Sequence, residues 1–142
     1  MISMTYQFSE LAAVAEQILT QTPTRIFTLK GEIGAGKTTL VAAFAAFLGA
    51  KDAVSSPTFP IINQYECVDN QRIFHLDLYR LKNQQEAIDI GIEDVLYDSA
   101  AYIFIEWHET IADLLPQNTV HLEMNVIDVH TRKIVVFTLG MR

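Results

Sequence analysis

The amino-acid sequence predicts an α/β fold, a mixed sheet flanked by helices and carrying antiparallel hairpins. Short β-prone runs alternate with helical patterns along its 142 residues, as in layered α/β structures. Two pairs of runs are joined by turns too short for a crossover helix, so each pair must be antiparallel. A glycine-rich loop stands between the first predicted strand and the helix after it. Open α/β sheets bind ligands at that place, beyond the carboxyl ends of their strands.

Taken in order, Ser9 is the predicted N-cap of a first helix. Leu11, Val14, Ala15, Ile18 and Leu19 follow at helical spacing, and Pro23 ends the segment. Arg25 to Leu29 is a short strand. A helix runs from Gly36 to about Leu48 with Gly49 as its stop. That helix is apolar almost all round (Leu40, Val41, Phe44, Phe47, Leu48), so it is expected to be well buried. Ser55-Ser56-Pro57-Thr58 reads as a loop. Strands then run from Phe59 to Val68 and from Arg72 to Leu78, about a tight turn at Asp69-Asn70. Gln84 to Leu96 reads as helix with a break at Gly91. Ala101 to Trp107 is a strongly apolar, central strand. Glu109 to Leu115 is a short helix stopped by Pro116, and Val120 to Asp128 with Arg132 to Leu139 form a second hairpin about His130-Thr131. No repeat, linker or low-complexity segment interrupts residues 1–142, which read as a single domain.

Gly31 to Thr38 read Gly-Glu-Ile-Gly-Ala-Gly-Lys-Thr, an unbroken G-x-x-x-x-G-K-[ST] phosphate-binding loop. Its glycines let backbone N–H groups turn inward around a di- or triphosphate. Lys37 suits the β- and γ-phosphates, and the Thr38 hydroxyl suits Mg²⁺. The predicted helix behind the loop adds its positive end. The expected ligand is a nucleotide, and the expected fold is P-loop NTPase-like.

Composition narrows the classes. Half of the residues are hydrophobic, which excludes disorder. Seventeen acidic residues against 10 basic give a formal charge of −7, and no Lys/Arg run occurs, so tight direct binding of nucleic acid is disfavoured. Cys67 is the only cysteine. It allows no internal disulfide and no cysteine-based zinc cluster, and it reads as a small buried residue. His108, His121 and His130 show no metal-ligand spacing. The amino-terminal segment lacks a signal-peptide pattern, and the longest apolar stretch, Leu40 to Ala50, is too short to span a bilayer. A cytoplasmic protein without a membrane segment is expected.

A nucleotide hydrolase needs an acidic group near the metal and another group to orient water. Asp77 and Glu106 qualify, each near the end of an apolar strand; which serves the metal and which the water does not follow from spacing. Trp107, the only tryptophan, follows Glu106 and suits stacking on adenine. His75 alternates with the apolar face of its strand and reads as a hydrogen-bonded structural histidine. Arg80 reads either as a phosphate or partner contact or as a solvated charge.

Four motifs stand in a telling order: Gly31-Glu32-Ile33-Gly34-Ala35-Gly36-Lys37-Thr38-Thr39, Ser56-Pro57-Thr58-Phe59, His75-Leu76-Asp77-Leu78-Tyr79-Arg80 and Ile105-Glu106-Trp107. Together the chain resembles the TsaE (YjeE) family of small bacterial P-loop ATPases, over nearly its whole length. The resemblance implies that Lys37 and the loop from Glu32 to Thr39 hold ATP phosphates, and that Thr38 and Glu106 bind Mg²⁺. It implies that Asp77 serves hydrolysis and that Trp107 lines the adenine pocket. Ser56-Pro57-Thr58 would sense the γ-phosphate, with Thr58 beside the nucleotide. Arg132 and the stretch around Ser9 would lie near it. The implied partners are TsaD and TsaB, whose complex forms threonylcarbamoyladenosine at position 37 of tRNA, with tRNA reached through them.

Rival readings make distinct demands. A regulatory GTPase usually carries Asn-Lys-x-Asp and Asp-x-x-Gly segments, and neither occurs. A small-molecule kinase usually has an arginine-bearing lid, for which the region before the final hairpin is too short. A nucleotide-gated binding module with negligible hydrolysis shares every motif.

Overall fold

The structure is a computed structural model and describes residues 2–32, 34–51 and 61–138. The described elements are β1 (Ile2–Gln7), α1 (Leu11–Gln21), β2 (Ile26–Lys30), α2 (Lys37–Phe47), β3 (Ile62–Glu66) and β4 (Arg72–Asp77). There follow α3 (Gln84–Asp89), α4 (Ile92–Leu96), β5 (Ala101–Glu106), β6 (Val120–Val126) and β7 (Thr131–Phe137). The strands form one sheet in the order β1-β7-β6-β2-β5-β4-β3. Its central strands β6, β2, β5 and β4 are mutually parallel, whereas β3–β4, β6–β7 and β1–β7 are antiparallel. The mixed sheet with two hairpins is as expected.

Strand alternation divides the core into two layers. Phe27, Leu29, Ile73 and Phe104 point to the face covered by α1 and α2, while Ile26, Leu76, Ile103 and Ile105 point to the face covered by α3 and α4. On the first face Phe27, Phe44 and Phe104 stack with ring centroids 4.9–5.9 Å apart. All three are fully buried, and truncating one to alanine costs about 3–5 kcal/mol. This stack seats α2, and therefore the loop preceding it, over β2 and β5.

Several expectations need correction. β1 was not anticipated, so the strand leading into the phosphate loop is the second, not the first. Ser9 does not cap α1: it lies within a 3₁₀ turn, Phe8–Glu10, and α1 begins at Leu11. The Glu10 carboxylate instead accepts from the Gln7 N–H at 2.9 Å, which satisfies one of the donors at this entry. α2 is not buried all round, because Phe47 is 47% exposed at its last turn whereas Leu40, Val41, Phe44 and Ala45 are buried. β5 stops at Glu106, and Trp107 has left the strand. Residues 108–114 form 3₁₀ turns broken by a kink at Ile111 (φ −116°, ψ 19°). The one buried residue of the segment is Ile111 itself. The final turn occupies residues 127–130, with Thr131 already in β7.

The first hairpin turns at Val68–Asn70 with Asp69 and Asn70 both at φ 60°, a conformation that Asp and Asn tolerate through local hydrogen bonding. Gly91 separates α3 from α4, as the sequence predicts. Cys67 is buried and unpaired with another cysteine. Burial pushes its thiol up, aided by Glu66 and opposed by Lys51. The segment before Ile61, with Ser55, Ser56, Pro57, Thr58 and Phe59, lies outside the described residues.

Candidate functional site

The loop leaves the carboxyl end of β2, at the middle of the sheet, and enters α2 at Lys37. Gly36 sits at φ 95°, the left-handed region that a side chain resists, and this turn starts the helix with its N–H groups facing the loop. Gly31 answers a different demand: a Cβ there would stand 2.9 Å from the Met124 carbonyl oxygen. Only glycine lets β6 pass this close. Within the loop the Ala35 N–H donates to the Glu32 carbonyl at 3.0 Å, and Ala35 is fully buried while Glu32 and Gly34 face solvent.

Lys37 folds back across the loop, and its Nζ donates to the Gly31 carbonyl at 2.7 Å. The same ammonium lies 3.9 Å from Glu106 Oε1 and 5.5 Å from the centre of the Trp107 ring. Glu106 is 5% exposed, and its other oxygen, Oε2, is 2.7 Å from His75 Nε2. The parallel register of β4 and β5 sets Asp77 directly beside Glu106. Asp77 Oδ1 accepts from the Tyr79 N–H at 3.1 Å. Both acidic residues thus end neighbouring strands on the face beneath α2.

Trp107 sits at φ 60°, ψ 50°, a left-handed conformation that costs a non-glycine residue about 1–2 kcal/mol. The kink turns its ring out of the strand and over the loop, half exposed and 5.0 Å from the Tyr79 ring. Gly31, Lys37, Trp107, Glu123, Met124 and Asn125 help line a cleft of about 470 Å³, within the size range of small-ligand sites. Next along the chain from Trp107, burial pushes the His108 imidazole below its ordinary value. Glu109 and Glu123 pull upward and Lys30 downward.

Arg132 approaches the loop from the last hairpin. Its Nη2 donates to the Gly34 carbonyl at 3.2 Å, and its Nη1 donates to the carbonyls of Asp128 and Thr131 at 2.7 and 3.0 Å. Its guanidinium covers the Phe8 ring at 4.9 Å. Burial raises the nearby Tyr6 hydroxyl pKa, with Arg132 opposing. Ser9 is exposed, next to the Phe8 that packs at Gly36. Thr38 and Thr39 occupy the first turn of α2, Thr38 half-buried and Thr39 exposed. Ile33 and Thr58 lie outside the described residues. The structure therefore gathers Lys37, Asp77, Glu106 and Trp107 at one sheet edge, with Arg132 and Ser9 on the far side of the loop. The sequence reading missed Tyr79 against Trp107, Phe8 beneath Arg132, and the β6 wall of the cleft. Only the two aromatics after Asp77 and Glu106 carried a readable signal.

The donors at this edge suit magnesium. Thr38, Glu106 and Asp77 offer oxygen alone, and no group of three or more His, Cys, Asp or Glu among the described residues is placed to hold a metal by itself. Mg²⁺ accepts such a sparse protein shell, because phosphates and water complete it.

A central parallel strand, a glycine-rich loop at its carboxyl end and a helix opening on Lys37 define a P-loop NTPase-like protein. Residues 5–134 match the family model for the threonylcarbamoyl adenosine biosynthesis protein TsaE, and the chain belongs to that family. It is 33% identical over 111 residues to the tRNA threonylcarbamoyladenosine biosynthesis protein TsaE of Treponema pallidum (strain Nichols), covering 78% of this chain and 80% of the relative. The TsaE of Bacillus subtilis (strain 168) is 33% identical over 121 residues, 84% of this chain and 73% of the relative. In three dimensions the chain is similar to the crystal structure of Bacillus subtilis YdiB. The TM-score is 0.71 at 25% identity, over 98% of this chain and 87% of that one. Family membership links the chain to threonylcarbamoyladenosine biosynthesis. No helix among the described residues is long and apolar enough to cross a membrane.

Proposed function

We propose that this protein binds Mg-ATP at the loop and hydrolyses it, supporting a TsaD–TsaB complex that forms threonylcarbamoyladenosine at position 37 of tRNA in the cytoplasm. The observation that carries the reading is the convergence of Glu106 and Trp107 on Lys37, with Lys37 and Trp107 lining one cleft. A buried carboxylate, a cation and an aromatic face match the metal, phosphate and base of a nucleotide.

In this reading the loop from Glu32 to Thr39, Ile33 included, turns its N–H groups to the phosphates. Lys37 exchanges the Gly31 carbonyl for phosphate oxygens, gaining a stronger, charge-assisted bond. Thr38 and Glu106 hold Mg²⁺, which when bound neutralises charge on the β- and γ-phosphates. Asp77, beside Glu106, orients the attacking water or takes its proton. Trp107 stacks on adenine, Thr58 senses the γ-phosphate, and Arg132 and the Ser9 segment hold the loop from behind. With a formal charge of −7, the chain is poorly suited to neutralising tRNA phosphates itself, so the partners hold the tRNA.

The test measures phosphate release from ATP with and without TsaD and TsaB, comparing the natural chain with Asp77→Ala. Release above background, lost in Asp77→Ala while ATP binding persists, is the expected result. Background release in the full complex, with ATP still bound, would establish the nucleotide-gated module instead.

A further inference from the structure

His75 is fully buried in β4, two residues before Asp77 and on the same face. Its Nε2 lies 2.7 Å from Glu106 Oε2. Its Nδ1 is buried too and has no hydrogen-bond partner among the described residues. A carboxylate can only accept, so the ring nitrogen that faces it, Nε2, carries a proton and donates. Such a placement is poor packing chemistry. Burying an unpaired ring nitrogen carries a desolvation penalty, which an aliphatic side chain in the same space would avoid. What the imidazole provides instead is a single short, charge-assisted bond to one carboxylate.

That bond decides how Glu106 is presented. A glutamate side chain turns about three bonds and loses that freedom when it is held. With Oε2 held from below by His75, Oε1 alone faces the loop, 3.9 Å from Lys37 Nζ. His75 thus separates the two oxygens by role, one anchored and one available.

We propose that His75 is a positioning residue, whose Nε2–H sets the Glu106 carboxylate so that Oε1 meets the magnesium of a bound nucleotide. This rests on the reading above that Glu106 serves the metal. Groups that hold a metal ligand in place are worth about 10- to 100-fold in metal affinity.

The test is calorimetric titration of the whole chain with ATP over a series of Mg²⁺ concentrations and in EDTA. It uses His75→Leu, His75→Gln, His75→Asn and Glu106→Gln, with circular dichroism checking the fold of each. The glutamine amide reaches the place of Nε2, whereas the asparagine amide stops near Nδ1. His75→Leu and His75→Asn are expected to raise the Mg²⁺ concentration for half-maximal ATP binding by about 10- to 100-fold. Affinity in EDTA should stay unchanged, and His75→Gln should restore most of the loss. If His75→Leu does not fold, the Gln and Asn pair decides. A shift in Glu106→Gln with no shift in folded His75→Leu or His75→Asn overturns the positioning role alone. No shift in Glu106→Gln overturns the metal reading and His75's role with it. No binding of ATP by the natural chain overturns the proposed function itself.

Discussion

Arg132 Nη2 donates to the Gly34 carbonyl oxygen at 3.2 Å across 98 residues of sequence, so the last hairpin holds the middle of the phosphate loop. Nη1 is spent on the Asp128 carbonyl in the turn before β7 and on the Thr131 carbonyl at its start, while the buried Nε has no hydrogen-bond partner among the described residues. A charged residue buried to 7% exposure thus serves two backbone segments at once. Arg132→Ala should lower unfolding stability by about 1.5–3 kcal/mol, the range for hydrogen bonds to a charged group. It should also weaken ATP binding by loosening the loop. Arg132→Lys should rescue neither, because an ammonium lacks the planar fork. Urea unfolding and calorimetry check both effects. ATP affinity unchanged in Arg132→Ala would separate the hairpin from the site.

Lys37→Ala should weaken ATP binding about 10- to 100-fold, from the loss of one charge-assisted contact worth about 1.5–3 kcal/mol. The fold should survive, since Lys37 donates to a loop carbonyl and belongs to neither apolar core cluster. Calorimetry with ATP and with ADP measures it. Equal affinity in both proteins removes Lys37 from the phosphate site.

Trp107→Asn trades an aromatic in the left-handed region for a residue that tolerates it. Thermal stability should stay level or rise, while ATP affinity falls, a separation expected where strain is kept for function. In the natural chain Trp107 is flanked by Lys37 and Tyr79, so ATP should shift its fluorescence. No spectral response at saturating ATP counts against the adenine role.

The Arg72–Asp98 pair links the start of β4 to the turn before β5 and makes stability depend on pH. Arg72 Nε donates to Asp98 Oδ2 at 2.8 Å and the Ala100 N–H donates to Oδ1 at 2.9 Å. These bonds hold the Asp98 carboxyl below its usual range, the Arg72 bond contributing most. The unfolded chain then takes up its proton at higher pH than the folded one. The contribution is present above the unfolded pKa, about 3.9, and is lost as pH falls toward the folded value. Asp98→Asn should therefore flatten the acid limb of a urea-stability profile and leave its slope above about pH 6 unchanged. An unaltered acid limb would contradict the assignment.

Local features were legible in the sequence. The loop reads directly from its glycines and Lys37, and the first hairpin reads from Asp69-Asn70. The break at Gly91 is equally plain. Asp77 and Glu106 show as carboxylates ending apolar runs. β1 escaped even though Ile2, Met4 and Tyr6 alternate with Ser3, Thr5 and Gln7. A half-polar strand of six residues is stable only when paired, and its partner β7 is 124 or more residues away. Ser9 misled for a related reason: the chain enters α1 through a 3₁₀ turn held by Glu10, so the capping residue type alone did not mark the helix start.

The sequence by itself determined which chemical groups this protein carries and the short-range turns that expose them, because glycine dihedrals and strand alternation act within a few residues. Tertiary structure alone decided which of those groups meet. The β4–β5 register sets Asp77 beside Glu106, the kink at residue 107 turns the indole toward Lys37, and the His75–Glu106 bond spans 31 residues. Such pairings depend on strand order and on how the stacked phenylalanines seat α2. No local propensity encodes them.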